Sequence, residues 1–249
     1  MMFSIITVCF NAAGTIADTL HSVATQAYAD VEHIVIDGGS SDGTQAVILQ
    51  HGSRVAHCVS EPDGGIYDAM NKGVRLASGD IVGILNADDV YSDSDVLMRV
   101  AHYMEDENLD ALYGDVEYFL PTNPAVASRR YRSRRFSPAR IGWGWMPAHP
   151  SLFLRRRLFD RFGLYRTDYR IAGDYELVAR FFKNGQIAYR YLPEVLVKMR
   201  TGGVSTGGWK NTLLLNQEVL RACRENGIPT NWFKLLSKYP FKVLEFLAK

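Results

Sequence analysis

The chain of 249 residues has few cysteines and no long apolar segment, and both absences narrow its class. Cys9, Cys58 and Cys223 are far apart, odd in number and without a Cys-x-x-Cys pair, so neither a disulfide framework nor a zinc site is predicted. This pattern favours a reducing compartment, and we expect a cytoplasmic protein. No run of about 18 apolar residues occurs, so we expect no spanning helix. The apolar start at Phe3 to Phe10 is too short, and too free of preceding positive charge, for a signal peptide.

An excess of either charge is also missing. With 28 Lys and Arg against 27 Asp and Glu, the net charge is +1, which disfavours a nucleic-acid-binding surface. The chain is 47% hydrophobic and 22% charged, the composition of a globular protein with a sizeable core. The fingerprints G-x-G-x-x-G and G-x-x-x-x-G-K-[ST] do not occur, so any nucleotide must be held in another way.

The most informative stretch runs from Glu61 to Asp89, EPDGGIYDAMNKGVRLASGDIVGILNADD. Its proline and glycines predict a turn, and apolar residues at helical spacing from Ile66 to Ala77 predict a helix. The apolar run Ile81–Leu85 predicts a strand buried on both faces, which ends in Asn86-Ala87-Asp88-Asp89.

Two adjacent acids, Asp88 and Asp89, therefore follow a buried strand. In open α/β sheets, ligands bind at the carboxyl ends of the strands, and Mg2+ or Mn2+ prefers oxygen ligands and bridges to phosphates. One interpretation is that these acids hold a metal against a diphosphate. The alternative is that they are ordinary turn and capping residues, and the residues alone leave both open.

The elements before this stretch alternate. Ser4–Phe10 predicts a buried strand, Ile16–Ala27 a helix and His33–Ile36 a second strand, with a weaker third strand at Val55–Ser60. This alternation predicts parallel strands with right-handed crossovers, and so an α/β fold.

Asp37 stands at the carboxyl end of the second predicted strand. An acid in that position commonly accepts hydrogen bonds from a ribose or base, and Gly38 and Gly39 allow close approach to the backbone. In the turn that follows, Ser41 or Asp42 is better explained as the cap of the next helix.

The second half of the chain is less regular and more basic. Val96–Met104 predicts a helix and Ala111–Phe119 a strand. The segment Ser128–Arg135, SRRYRSRR, holds five arginines in eight residues. It is either a solvated loop or edge strand, or a patch that meets phosphates. Gly142–Pro150 sets tryptophans and His149 among glycines and prolines, which suits a loop that covers a ligand.

Two later segments carry candidate chemistry. A helix that opens at Ile171 has Asp174 and Glu176 in its first turn, where the helix dipole favours an acid. Such a carboxylate also suits a general base, and Asp174 is preferred because Gly173 leaves room in front of it. Lys198–Ser205 predicts a basic, glycine-rich turn, which either neutralises a diphosphate or is a plain exposed turn.

The end of the chain has an amphipathic pattern. After a predicted helix from about Lys210 to Asn226, the tail Thr230–Lys249 sets aromatic and aliphatic residues on one helical face and Lys234, Lys238 and Lys242 on another. Such a helix lies on an anionic membrane surface, or it docks on its own domain or a partner subunit. The pattern leaves these alternatives open.

Taken in order, six pieces of the sequence resemble family 2 of the inverting glycosyltransferases, which have the GT-A fold: SIITVCFN, VIDGGSSDGT, EPDGGIYDAMNKG, LNADD, GDYELVARFF and GGVS. They extend from Ser4 to about Ser205. The resemblance implies a Rossmann-like, mostly parallel sheet flanked by helices over 1–208, with a nucleotide-sugar-binding half (1–115) and an acceptor half (116–208). A C-terminal helical appendage would occupy 209–249. The sequence looks most like enzymes of the colanic acid or exopolysaccharide type and the fucosyl- and rhamnosyltransferases.

The resemblance also implies roles for single residues. Asp174 matches the catalytic base, and Asp89 matches the metal-binding acid. A strict D-x-D is absent, so which of Asp88 and Asp89 touches the metal is open. No histidine follows His149, so the late histidine ligand of many GT-A enzymes is His149, water or absent. Contacts to the nucleotide-sugar are implied for Thr7, Asn11, Asp37, Asp63, Lys72, Asp88 and Arg200. Acceptor contacts are expected for Trp145 and His149.

The implied function is inverting transfer of a hexosyl or deoxyhexosyl group from a UDP-, GDP- or dTDP-sugar to a glycan or polyprenyl-linked acceptor. The setting would be bacterial surface polysaccharide synthesis, with Mn2+ or Mg2+ as cofactor. Peripheral attachment to the plasma membrane through 230–249, and association into a homo-oligomer, are left open. Two other classes remain: a non-catalytic nucleotide-sugar or glycan-binding module, and a membrane-associated scaffold organised by the tail.

Overall fold

The computed structural model describes residues 1–120, 122–183, 185–202 and 208–239, without the side chains of 123–126. The first half alternates strands and helices as predicted. Its elements are β1 (Phe3–Cys9), α1 (Ile16–Ala24), β2 (Val31–Asp37), α2 (Thr44–His51), β3 (Val55–Ser60), α3 (Ile66–Leu76) and β4 (Ile81–Ile84). All four strands pair in parallel, in the order β3-β2-β1-β4. Every residue of β1 and β4 is buried, which explains their unbroken apolar sequences.

The second half extends the same sheet with mixed pairings. Its elements are β5 (Asp89–Tyr91), α4 (Val96–Met104), β6 (Ala111–Leu120), β7 (Asn123–Tyr131), β8 (Leu152–Arg155), α5 (Arg157–Phe162), α6 (Gly173–Phe182), β9 (Tyr189–Arg200), α7 (Trp209–Glu225) and α8 (Trp232–Leu236). The strand order continues as β4-β8-β6-β9-β5, and β7 also pairs with β6. β6 and β9 are parallel, whereas β8 runs antiparallel to both of its neighbours. The α/β fold class is confirmed.

The register of the first four strands brings their carboxyl ends to one edge of the sheet. Cys9 is level with Asp37, and Asp37 is level with Ser60. Ile6 is level with Ile84, so the turn after β4 begins at the same edge. This is the edge at which ligands bind in open α/β sheets.

The C-terminal helices belong to the main core. Val219, Leu220 and Cys223 of α7 and Leu235 of α8 are buried in one hydrophobic cluster with Phe181 of α6. Within the described ranges, none of the helices has the length and apolarity that a membrane crossing needs.

The tail pattern is partly wrong. Leu235 and Lys238 are buried, at 0% and 4% exposure, so the predicted lysine face does not form at this point. Residues 230–239 dock on the body of the protein: Thr230 Oγ1 donates to the Gly142 carbonyl at 2.7 Å, and Asn216 Nδ2 lies 2.6 Å from Tyr239 Oη. Lys242, and the rest of 240–249, lie outside the described residues.

Candidate active site

Asp37 ends β2 and is fully buried, and hydrogen bonds satisfy its carboxylate. The Ser60 hydroxyl donates to Oδ2 at 2.6 Å, and the Ser40 hydroxyl and amide donate as well. Burial acts to raise the pKa of Asp37, but the hydrogen bonds from Ser40 and Ser60 outweigh it and hold the pKa below its usual value. Asp37 therefore organises the loop after β2 as a buried anion.

The loop between β3 and α3 closes over the end of β2. A Cβ on Gly38 would lie 2.5 Å from Asp63 Oδ2, so only glycine lets Asp63 approach this closely. Asp63 also accepts from the Gly65 amide at 2.8 Å. Lys72 on α3 binds the start of this loop, at 2.8 Å from Glu61 Oε1 and 3.1 Å from the Pro62 carbonyl. Asp63 thus lies against the residue that follows Asp37, and Lys72 binds the same loop; their contact with a nucleotide stays a prediction.

Three further polar residues lie at or near the same edge but differ in exposure: Asn11, Thr7 and Asp42. Asn11 is exposed in the left-handed conformation, with φ 51°, and its side chain accepts from the Ser41 amide at 3.0 Å. Thr7 is fully buried with its hydroxyl 3.0 Å from His33 Nε2, so it lies behind the strand end without access to solvent. Asp42 accepts from the Thr44 amide at the first residue of α2, although Gly43 occupies the cap position itself.

The turn after β4 presents its two acids differently. Asp89 is 1% exposed, begins β5 and has Asn86 Nδ2 at 3.3 Å from its Oδ2. Burial and the neighbouring charge of Asp88 raise the pKa of Asp89 well above its usual value. Asp88 keeps partial exposure, and burial raises its pKa while Arg200 acts in the opposite sense. Asp88 is therefore the more accessible of the two carboxylates, a distinction that the sequence leaves open.

Arg200 ends β9 next to these acids. Its Nη2 lies 3.0 Å from Asp18 Oδ2 on α1, and its guanidinium lies 5.3 Å from the centre of the Phe119 ring. Its Nε is buried without a partner. The predicted basic turn thus begins inside a strand, and residues 203–207 of that turn lie outside the described residues.

These residues fit a divalent cation. Asn86 Oδ1 is a buried oxygen without a hydrogen-bond partner, and it adjoins the two carboxylates. All three groups are hard oxygen donors, which Mg2+ and Mn2+ prefer. No group of three or more His, Cys, Asp and Glu that would enclose a metal occurs in the described part of the chain. A site of this kind would be completed by substrate phosphates and water.

Asp174 lies in the first turn of α6, packed closely by aromatic side chains. Tyr67 Oη donates to the Ile171 carbonyl at 2.6 Å and lies 3.5 Å from Asp174 Oδ1. Burial raises the pKa of Asp174, and the charge of His149 partly offsets the effect. A carboxylate with a raised pKa and partial exposure is suited to accept a proton. The space in front of Gly173 is filled by the Tyr67 ring, which a Cβ would approach to 2.7 Å, so the expected open space is not there.

Two buried polar side chains hold the surroundings of Asp174 in place. Glu218 on α7 accepts from the amides of Arg170, Ile171 and Ala172, at 2.8, 2.9 and 2.8 Å. Asn71 on α3 bonds both the amide and the carbonyl of Tyr165, each at 2.8 Å. Neither residue belongs to a sequence pattern that would identify it.

The two predicted acceptor residues, His149 and Trp145, have different surroundings. His149 Nε2 lies 2.9 Å from Tyr165 Oη; burial lowers the pKa of His149, and Asp174 acts to raise it, so this histidine lies in the surroundings of the base. Trp145 is buried beneath the Arg135 guanidinium, which is 5.3 Å from its ring centre, and its contact with an acceptor stays a prediction. Trp143 is the exposed tryptophan of this segment.

The arginine run is mainly structural. Arg130 on β7 forms an ion pair with the buried Asp115 at 2.8 Å, which also accepts from the Ser133 amide and Tyr191 Oη. Arg129 lies over the Tyr118 ring at 5.1 Å. The edge-strand interpretation is confirmed for this part of the run, whereas Arg132 and Arg134 are exposed.

Residues 4–163 match the model of the family described as Glycosyl transferase family 2. A PGL/p-HBAD biosynthesis glycosyltransferase of Mycobacterium tuberculosis is 33% identical over 218 residues, which are 86% of this chain and 80% of that protein.

Among solved structures, TarS of S. aureus in complex with UDP-GlcNAc aligns with a TM-score of 0.68 at 17% identity, over 89% of this chain and 66% of that one. A mannosyltransferase of Pyrobaculum calidifontis in complex with GDP-Man and Mn2+ aligns with a TM-score of 0.67 at 21% identity, over 90% of this chain and 63% of that one. This chain spans 40% of a longer TarS chain. These likenesses establish the GT-A fold.

Proposed function

Because the chain belongs to glycosyl transferase family 2, we propose that it transfers a hexosyl or deoxyhexosyl group, with inversion, from a nucleoside diphosphate donor to a hydroxyl of a glycan or lipid-linked acceptor. The proposed setting is the synthesis of bacterial surface glycans. The observation that carries the proposal is Asp174, a partly exposed carboxylate of raised pKa at the start of α6.

The proposed reaction is a single displacement. Asp174 takes the proton of the acceptor hydroxyl, whose oxygen attacks the anomeric carbon as the bond from that carbon to the diphosphate oxygen breaks. The new bond forms on the opposite face to the leaving group, so the configuration inverts. The raised pKa of Asp174 makes it a stronger base than an ordinary carboxylate.

The donor would lie along the carboxyl edge of β1, β2 and β4. Asn11, Asp63 and Lys72 border its nucleoside end around the buried Asp37, and Arg200 would leave Asp18 to pair with the diphosphate. Asp88, with Asp89 behind it and Asn86 alongside, would hold Mn2+ or Mg2+. Such a cation, when bound, neutralises the charge of the departing diphosphate. The Mn2+ in the complex of the P. calidifontis mannosyltransferase supports this assignment.

Asp174→Asn tests the proposal, because it removes the base and keeps the side-chain volume. We expect transfer to fall at least ~100-fold while calorimetry shows unchanged donor binding. The control is Asp168→Asn, six residues earlier, where the carboxylate pairs with Arg166 and Arg221 on the surface. Equal loss of transfer and donor binding would make Asp174 structural. Donor binding without turnover in the wild type would favour the non-catalytic binding module.

A further inference from the structure

The short helix α8 leaves large apolar side chains on its outer side. Leu235 and Lys238 point into the protein, while Trp232, Phe233 and Leu236 are 40%, 77% and 50% exposed. A helix at a water interface normally buries its apolar side and turns lysine outward. Three large apolar side chains together on the outside indicate a surface that meets something other than water.

Trp143 extends this surface beyond α8. It is 38% exposed at the end of a 3-10 turn (Pro138–Trp143), and the Lys234 ammonium lies 5.5 Å from its ring centre. The bond from Thr230 to the Gly142 carbonyl fixes α8 to this turn. We call the four exposed residues Trp143, Trp232, Phe233 and Leu236 the aromatic face.

The sequence around the aromatic face contains only one sign of charge. From Tyr118 to Phe159 there are nine arginines and no Asp or Glu, and from Asn226 to Leu244 there are three lysines and no acid. The 3-10 turn and α8, which pack together, come from these two segments. The two segments that form the aromatic face therefore contribute cations and no carboxylate to this region.

A surface groove of about 290 Å3 opens beside Trp143. Lys183 and Lys234 line it, and no Asp or Glu is among the lining residues. Within the described residues, the lysine ammonium groups bond neutral oxygens there, Asn226 Oδ1 at 3.4 Å and the Pro229 carbonyl at 3.3 Å. Two lysines in a groove whose described lining contains no carboxylate suit a phosphate.

We propose that the aromatic face is the contact surface for an anionic phospholipid bilayer, with the groove taking a lipid phosphate. Tryptophan and phenylalanine insert at the boundary of headgroups and acyl chains, and lysine and arginine beside them attract anionic lipids. A second copy of the chain fits less well, because a symmetric contact would set the same cations against each other.

The aromatic face lies close in the chain to the surroundings of the proposed base, which suggests a role in acceptor access that rests on the proposed function. His149 is six positions after Trp143, so about 20 Å of extended chain at most joins the membrane contact to the surroundings of Asp174. An acceptor anchored in the bilayer by a lipid would then reach the base without leaving the membrane.

The experiment is co-sedimentation of the full chain, without donor, with vesicles of phosphatidylcholine alone or mixed with phosphatidylglycerol. We expect binding to the mixed vesicles only, weakened by salt, and reduced at least ~10-fold by Trp232→Ser with Phe233→Ser. Lys234→Gln should weaken it ~5-fold. Leu49→Ser is the control, since Leu49 on α2 is an apolar residue at least as exposed to water, at 87%. The conservative pair Trp232→Phe with Phe233→Leu keeps large apolar side chains at both positions and should therefore retain binding.

Unchanged binding of the double serine variant, or equal binding to both vesicle types, would overturn the proposal. A wild type that does not bind vesicles but forms a dimer would also overturn it, if the double serine variant is a monomer. Calorimetric donor binding by the same variants separates this result from the proposed function, since it should be unaffected.

Discussion

The Glu218 carboxylate lies 2.8 Å from the Ala172 amide nitrogen and accepts its hydrogen bond. Ala172 precedes α6 and stands two residues before Asp174. Glu218 also accepts from the two preceding amides, so one buried side chain of α7 fixes three consecutive backbone groups in front of the proposed base. Helix α7 thereby holds the backbone next to the proposed base in place.

Glu218→Gln should reduce kcat more than donor affinity, because an amide has only one acceptor oxygen for the three amides that now share a carboxylate. We expect ~1–3 kcal/mol of destabilisation and at least ~10-fold lower kcat with an unchanged KM for the donor. Glu225→Gln on the same helix is the control, because Glu225 pairs with Arg166 and Arg221 on the surface. Equal effects of the two variants on kcat would show that Glu218 only stabilises the fold.

Gly173→Ala should be destabilising, because its new methyl group would lie 2.7 Å from the Tyr67 ring. Overpacking of this kind costs ~1–3 kcal/mol and would shift the hydroxyl that bonds Ile171. Thermal unfolding measures the cost. Gly14→Ala is the matched control, since nothing lies within 4 Å of its added Cβ. If both variants unfold at the same temperature, the contact between Gly173 and Tyr67 is not as close as described.

The pH dependence of transfer should report Asp174. Its pKa is raised from 3.8 by burial, so activity should fall on the acidic side at a pH above that of an ordinary aspartate, as the base becomes protonated. His149→Gln should move this acid limb to still higher pH, because the charge of His149 acts to lower the pKa of Asp174. A profile of kcat against pH with the same acid limb in both proteins would contradict the assignment.

The variants Asp88→Asn and Asp89→Asn should differ in their effect on the stability of the protein. Asp88→Asn should remove the Mn2+ dependence of donor binding measured by calorimetry, because it deletes the accessible carboxylate. Asp89→Asn should do the same but also raise the free energy of unfolding by about 1 kcal/mol. Asp89 binds its proton more tightly in the native state than in the unfolded chain, so the free energy of unfolding falls as pH rises. An asparagine amide does not ionise, so Asp89→Asn removes this loss of stability. A destabilised Asp89→Asn protein would contradict this account.

His33 should make the protein sensitive to acid. Burial lowers its pKa from 6.5 to about 4. Between pH 6.5 and pH 4, His33 is therefore protonated in the unfolded state and neutral in the native state. Stability from this residue is complete above pH 6.5 and falls by about 2 kcal/mol between pH 6.5 and 5. Urea unfolding at these two pH values measures the loss, and His33→Gln should reduce it. The same loss in the variant would assign the acid sensitivity to other groups.

The parts of the fold that depend on local pattern were predictable. β1 and β4 are buried along their whole length, so their apolar runs stand out in the sequence. The positions of Asp37 and Asp88 at strand ends followed from the same alternation of strands and helices.

Contacts between distant segments were not predictable. Asn71 and Tyr165 are 94 positions apart, and nothing in either segment identifies the other. The sequence also does not separate Asp88 from Asp89, because adjacent acids have the same composition and only the start of β5 buries one of them. Lys238 lies inside because α8 is short and docks through Leu235, which periodicity over the whole tail does not reveal.

The most direct test of the proposed transferase is release of nucleotide from a panel of UDP-, GDP- and dTDP-sugars, each with Mn2+ and with EDTA. Acceptor-containing membrane extract is present throughout, so a missing acceptor does not mask turnover. The account predicts release from one class of donor, abolished by EDTA and by Asp174→Asn. Release from no donor, with no donor binding by calorimetry, would contradict it.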